Sequence, residues 1–165
     1  MNDDLQHRTQ SIRLLLTDCD GVLTDGGVYY SARGEEMKRF SIRDGMGVER
    51  LHTLAEVETG IITGETSGAV QRRAEKLNIA ELHLGVKNKV EVLTHILARR
   101  QLRPEQVAYI GDDSNDLAVM QRVGLSACPA DALCFVKAIA HYVCRAKGGY
   151  GAFREFAEFI IAAKK

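Results

Sequence analysis

Short apolar runs alternate with stretches of helical period along this chain. The stretch Leu14–Asp25 (LLLTDCDGVLTD) opens on a short apolar run that ends in Asp18 and Asp20, which marks a strand covered on both faces. Val57–Thr63, Ala80–Leu84, Val107–Ile110, Leu125–Ala127 and His141–Cys144 read as further strands. Between them, apolar residues recur every three or four positions. The stretch 41–56 (SIRDGMGVERLHTLAE) places Val48, Leu51, Leu54 and Ala55 on one helix face. Ser67–Leu77 does the same with Val70, Ala74 and Leu77, and Asn78 closes it. Lys87–Arg100 follows with Val90, Leu93, Ile96 and Leu97. Helices are also expected over Asp116–Val123, Ala130–Ile139 and, after the glycine-rich turn Gly148–Gly151, Ala152–Ala163.

Gly26–Phe40 breaks this alternation. Its β-branched and aromatic residues flank a central Arg-Gly turn, so it reads as a β-hairpin projecting from the carboxyl end of the first strand. Strands alternating with helices predict an α/β fold, a parallel sheet with helices on both faces. No repeat or linker divides the chain, and 1–165 is read as one domain.

Composition narrows the function classes. Apolar residues make up 45% of the 165 residues and charged residues 27%, as in an ordinary globular domain. The formal net charge is zero, so bulk charge points to neither nucleic acid nor an anionic membrane. No apolar run approaches the roughly 18 residues that span a bilayer. The opening MNDDLQHRTQSIR is polar and lacks the apolar core of a signal peptide. Cys19, Cys128, Cys134 and Cys144 show no paired metal spacing and have apolar neighbours. They are expected to be buried free thiols in a reducing cytoplasm.

The chemistry gathers at strand ends. Asp18 and Asp20 follow the first strand, one residue apart, and strand alternation sends both carboxylates the same way. Taken alone, such a pair is commonly solvated or capping; its place after a buried strand and before Gly21 changes that reading. Close carboxylates repel each other, and a divalent cation with oxygen ligands is the natural counter-charge. Alternation turns Cys19 away into the core. In open α/β sheets, ligands bind at the carboxyl ends of strands. The second strand ends in Thr63-Gly64-Glu65, where a hydroxyl and backbone N–H groups at a helix start suit a phosphate. The strand Val107–Ile110 ends in Gly111 and the acidic group Asp112, Asp113 and Asp116. Lys89 opens a helix, where a cation is unfavourable to the helix dipole and so is expected to pair with anions. Together these pieces suit phosphoryl transfer to an aspartate.

DCDGVLTDG, IITGE, the lysine of GVKNKVEVL and GDDSND resemble the four motifs of the haloacid dehalogenase superfamily of phosphohydrolases. DGVLTDGGVYY, FSIRDGMGV, VAYIGDDSND, VGLSACPADA and GGYGAFRE are similar in particular to its capless branch, which acts on 2-keto-3-deoxy sugar-acid phosphates. The likeness runs from about Ile12 to Ile160. It implies a Rossmann-like parallel sheet flanked by helices, a small β-hairpin and no cap domain. By motif it implies Asp18 as nucleophile and Asp20 as acid/base. Mg²⁺ would sit on Asp18, the Asp20 carbonyl and Asp112, and phosphate on Thr63, Gly64 and Lys89. Asp113 and Asp116 would stand behind them. The branch is tetrameric, so a homotetramer is implied, each site completed by a neighbouring subunit's hairpin and C-terminal tail (about 146–165). Gly149 and Arg154 are the tail candidates, although the same residues also read as an ordinary turn before a helix.

Branch members acting on the eight-carbon octulosonate 8-phosphate usually carry Arg after the Thr-Gly of the second motif; here Glu65 stands there. TGE followed by RRAEKL is similar to members acting on nine-carbon nonulosonate 9-phosphates, whereas RDGMG is closer to the octulosonate members. Arg73 and Lys76, three apart on one helix face, are candidates to meet a sugar carboxylate, and Glu65 to accept from sugar hydroxyls. The reading therefore leans to a nonulosonate 9-phosphate, of 2-keto-3-deoxynononate or N-acylneuraminate type, with octulosonate 8-phosphate as the alternative.

Two other classes compete. A receiver domain also carries an acidic cluster, a phosphorylatable Asp, a Thr and a Lys, but lacks a second carboxylate placed like Asp20. A non-catalytic assembly module of a cytidylyltransferase system would be expected to have lost motif aspartates, and here all are present.

Overall fold

The computed structural model describes residues 3–165. Eight strands and seven helices follow in chain order: α1 (Asp3–Gln10), β1 (Leu14–Thr17), β2 (Val28–Ser31), β3 (Gly34–Lys38), α2 (Ile42–Ala55), β4 (Glu58–Ile62), α3 (Gly68–Lys76), β5 (Glu81–His83), α4 (Lys89–Arg100), β6 (Val107–Ile110), α5 (Leu117–Met120), β7 (Leu125–Cys128), α6 (Cys134–Lys137), β8 (Tyr142–Val143) and α7 (Ala152–Ala163). Six strands form one parallel sheet in the order β5-β4-β1-β6-β7-β8. The strand order reverses at β1, which lies between β4 and β6 in register, with Thr17 facing Ile61 on one side and Ile110 on the other. All four residues of β1 are buried. Each buried leucine there contributes about 1.5–3 kcal/mol by leaving water.

Strand alternation divides the core in two. Leu15, Ile61, Ala108, Ile110 and Ala127 face α2, α3 and α7, together with Leu51, Ala74, Phe153 and Phe156. Leu14, Leu16, Ile62, Val107, Tyr109 and Cys128 face α4 and α5 with Leu93, Ile96 and Val119. The expected α/β architecture is present, with these differences. The polar N-terminal stretch forms α1, whose Leu5 packs on the α7 side and whose Thr9 is fully buried. The helix expected over Ala130–Ile139 shortens to α6, and the one over Asp116–Val123 to α5 behind a single tight turn at Ser114–Asp116. Asn78 closes α3 in a left-handed conformation, as its amide favours.

Cys19, Cys128 and Cys144 are buried free thiols, whereas Cys134 at the start of α6 is exposed, contrary to expectation. The hairpin stands out from the body, leaving Tyr29, Tyr30 and Met37 exposed. No helix among the described residues is long and apolar enough to cross a membrane.

Candidate active site

The carboxyl ends of β1, β4 and β6 bring the candidate residues together around Asp18. β1 stops at Thr17, and Asp18 N–H still donates to the Ile110 carbonyl at 3.0 Å. The chain then turns sharply, with the Cys19 carbonyl accepting from Val22, Leu23 and Thr24. Asp18 and Asp20 therefore sit in a turn, and strand alternation does not set their directions. Gly21 in this turn has φ +86°, and a Cβ there would overlap the Asp112 carboxylate. Only glycine lets the two loops approach this closely.

Asp18 is buried, and its carboxylate accepts from Cys19 N–H at 2.6 Å and pairs with Lys89 Nζ at 2.8 Å. Lys89 projects from the first turn of α4 and is itself buried. Its ammonium also donates to Asp116 at 2.7 Å and to the Tyr109 hydroxyl at 3.2 Å. Tyr109 donates in turn to the same Asp116 oxygen at 2.6 Å. The other Asp116 oxygen accepts the backbone N–H groups of Asp112 and Asp113 at 2.9 and 3.2 Å. Both oxygens of Asp116 are thus engaged, so it orients Lys89 and fixes the loop that carries Asp112.

Carboxylate oxygens of Asp18, Asp112 and Asp116 lie within 4.8 Å of one another. With all three ionised, the ammonium of Lys89 would leave an excess of two negative charges, which the cluster avoids without a cation by holding protons. Burial first, and then the Asp116 carboxylate, push the Asp18 carboxyl well above the usual range. Burial again, and then Asp18, Asp116 and Asp113 in that order, push Asp112 up to about 8. One Asp112 oxygen is buried without any hydrogen-bond partner. A partnerless carboxylate oxygen and an all-oxygen donor set with excess negative charge fit a hard divalent cation of the Mg²⁺ kind.

Asp20 faces a different partner. Lys38, the last residue of β3, donates to both Asp20 oxygens at 2.7 and 2.6 Å, and Thr24 donates to one of them at 3.2 Å. Thr63, the residue after β4, is buried at the same end of the sheet, its N–H on the His83 carbonyl at 3.0 Å. Its hydroxyl accepts Glu65 N–H at 3.3 Å, an arrangement that tightens the Thr63-Gly64-Glu65 turn. Glu65 and Asp113 are both exposed.

Three candidates lie elsewhere. The Arg73 guanidinium donates to the Ser41 carbonyl at 2.8 Å and lies 5.6 Å from the Phe40 ring centre, tying α3 to the start of α2. Lys76 lines a cavity of about 450 Å³ with Glu58, Thr59 and Glu81, at the amino ends of β4 and β5, the end of the sheet opposite Asp18. Arg154 lies on α7, where its side chain pairs with Glu158 at 2.7 Å and its N–H donates to Asp44 at 2.9 Å. Gly149 does reach the site, but within its own chain. It has φ +67°, its N–H donates to the Val22 carbonyl at 2.9 Å, and a Cβ would press into Thr24 and Asp25. Lys38 and Tyr109 are functional candidates that sequence reasoning missed. A tyrosine inside an apolar strand reads as core, and a lysine ending a hairpin strand reads as solvated.

Comparison with known proteins agrees with this geometry. The haloacid dehalogenase-like hydrolase family matches residues 62–151, more than half of the chain. The chain belongs to that family. A curated relative, the 3-deoxy-D-manno-octulosonate 8-phosphate phosphatase KdsC of Yersinia pestis, is 45% identical over 98% of this chain and 86% of its own length. The phosphatase of the same name from Moraxella catarrhalis has been solved with a magnesium ion, a phosphate ion and a KDO molecule. It is 31% identical, with a TM-score of 0.95 over 99% of this chain and 94% of that one. A cobalt-bound form of the Haemophilus influenzae deoxy-D-mannose-octulosonate 8-phosphate phosphatase is 38% identical, with a TM-score of 0.92 over 95% and 91% of the two chains. Within the family, this haloacid dehalogenase-like hydrolase is a phosphoric monoester hydrolase.

Proposed function

We propose that this hydrolase removes the terminal phosphate of 3-deoxy-D-manno-octulosonate 8-phosphate with Mg²⁺ as cofactor. The observation that carries the chemistry is the group of Asp18, Lys89 and Asp116, all buried, with the half-buried Asp112, at the reversal of strand order. The substrate rests on 45% identity to the octulosonate phosphatase of Yersinia pestis along nearly the whole chain. The relatives named above are octulosonate 8-phosphate phosphatases by name, and none is named for the nonulosonate activity that Glu65, Arg73 and Lys76 suggest. Arg73 already serves the Ser41 carbonyl, and Lys76 is at the other end of the sheet, which removes the main physical support for that preference.

Asp18, the Asp20 carbonyl and Asp112 are the residues that would hold Mg²⁺. Bound there, the ion would neutralise the excess charge and supply Lewis-acid polarisation of the phosphate oxygens. A carboxylate oxygen of Asp18 attacks phosphorus, and the bond from phosphorus to the sugar oxygen breaks. Asp20 gives its proton to that leaving oxygen. Asp20 then takes a proton from the water that attacks the aspartyl phosphate, which frees inorganic phosphate and restores Asp18. Lys89, aimed by Asp116 and Tyr109, and the Thr63 hydroxyl face the phosphoryl oxygens; Gly64 adds backbone N–H. The exposed apolar side chains Tyr29, Tyr30 and Met37 on the hairpin support assembly into a homotetramer in the cytoplasm.

The test is phosphate release with Mg²⁺ from octulosonate 8-phosphate, 2-keto-3-deoxynononate 9-phosphate and N-acetylneuraminate 9-phosphate. The expected result is a clear preference for the first. Preference for a nine-carbon ester moves the substrate and gives Glu65 a role. No release from any of them by folded protein sinks the phosphatase reading and leaves an assembly module.

A further inference from the structure

The hairpin carries one side chain whose place the reaction above does not explain. Lys38 ends β3, yet its side chain is fully buried while its strand neighbour Met37 is exposed. Its ammonium spans both oxygens of Asp20 and lies 3.7 Å from Glu35. Glu35 and Lys38 are three residues apart, and in a regular strand they would face opposite ways. The β2–β3 register shows why they do not. Tyr29 pairs with Met37 and Tyr30 with Glu35, so Glu36 is an extra residue, a β-bulge. The bulge turns Glu35 and Lys38 onto the same face, toward the body. There Glu35 also accepts from the Ser67 hydroxyl at the start of α3, so the strand is anchored on both sides of the bulge.

We infer that Lys38, aimed by the bulge, is the positioning residue for Asp20, holding its carboxylate in the direction from which it serves the sugar oxygen. The inference rests on the phosphatase reading and adds a residue to it. Asp20 hangs from a tight turn with a side chain about a quarter exposed, and Thr24 offers it only one further hydrogen bond. Without Lys38 the carboxylate is free to rotate into solvent. Lys38 touches neither Asp18 nor Asp112 at hydrogen-bond distance among the described contacts, so its influence runs through Asp20.

Leaving-group dependence separates this role from a merely structural one. A sugar alkoxide needs a proton to depart, whereas 4-nitrophenolate departs as the anion. With kcat/KM as the readout, only phosphoryl transfer to Asp18 is sampled. Lys38→Met is expected to lower kcat/KM for octulosonate 8-phosphate about 100-fold, the lower range of general acid contributions, and for 4-nitrophenyl phosphate by less than about threefold. Asp20→Asn sets the benchmark and is expected to show the same selectivity. Lys38→Arg is expected to recover most of the loss. If the methionine variant does not fold, Lys38→Gln, which keeps a donor in the same space, takes its place, with selectivity expected between wild type and Asp20→Asn.

Equal losses on both esters, or no loss, while Asp20→Asn stays selective, overturn the role of Lys38 and leave the phosphatase reading intact. Wild-type protein that hydrolyses neither ester overturns that reading, and the inference with it. An Asp20→Asn variant without selectivity removes Asp20 as the acid and so removes anything for Lys38 to position.

Discussion

Two lysines hold two aspartates that are one residue apart, and the two pairs are built differently. Lys89 reaches Asp18 from a helix start beneath the sheet; both side chains are almost fully buried, and Tyr109 and Asp116 hold the lysine from behind. Lys38 reaches Asp20 from a hairpin above the sheet, and Asp20 keeps a quarter of its side chain in solvent. The first pair sits in a low dielectric, where breaking it strands a charge. In the second the lysine is buried too, but Asp20 reaches solvent, so water can serve the carboxylate that a lost lysine leaves behind. The contrast suits the roles proposed for them: a group that receives phosphorus must be rigid and dry, and one that exchanges protons with water must stay within its reach.

The largest effect expected is on turnover. Asp18→Asn should lower phosphate release by at least about 10,000-fold, as loss of a nucleophile does in other covalent mechanisms. Retained turnover would move the covalent step elsewhere.

Next comes stability, where the two pairs should separate. Lys89→Met without divalent cation should cost about 3 kcal/mol or more, because Asp18 and Asp116 lose their buried counter-charge. Lys38→Met should cost about 1 kcal/mol or less. Chemical denaturation at neutral pH measures both, and equal costs would erase the distinction between the dry pair and the rim pair.

The acidic cluster gives a pH dependence of definite sign. In the metal-free protein Asp112 keeps its proton up to about 8, whereas the unfolded chain releases it near the ordinary aspartate value of about 4. The native state then binds more protons across that window, so stability should fall as pH rises through it. Mg²⁺ must displace the proton, so the rise in Tm on adding Mg²⁺ should be larger at pH 8.5 than at pH 6. An equal rise at both values would take the ion off Asp112.

The smallest effect expected is at Arg154. Its pair with Glu158 lies on the half-buried side of α7, each side chain about a third exposed, and Arg154→Ala should change stability by about 0.5 kcal/mol or less. A large loss of activity without a loss of stability would bring Arg154 back into a shared site.

What could be read from the order of residues was whatever depends on local pattern. The apolar runs specified β1, β4, β6 and β7, because a strand buried on both faces tolerates little else; the edge strands β5 and β8 are only partly buried and were read from their place in the alternation. With strands alternating with helices, the polar residues after β1, β4 and β6 had to meet at one end of the sheet, and Asp18, Thr63 and Asp112 do. Lys89 was legible too, since a cation at a helix start needs an anion nearby. Tertiary structure alone decided the rest. The directions of Asp18 and Asp20 come from a turn rather than a strand. Lys38 came inward through a bulge that only pairing with β2 defines. Arg73 was taken up by a carbonyl 32 residues away, and Asp44, in the RDGMG stretch, accepts from the first turn of α7. The N-terminal helix α1 showed too weak an apolar period to be seen, and it exists because the core gives Leu5 and Thr9 somewhere to pack. Local pattern carries period and composition; which polar group meets which depends on contacts between distant parts of the chain, and those are settled only when the chain closes on itself.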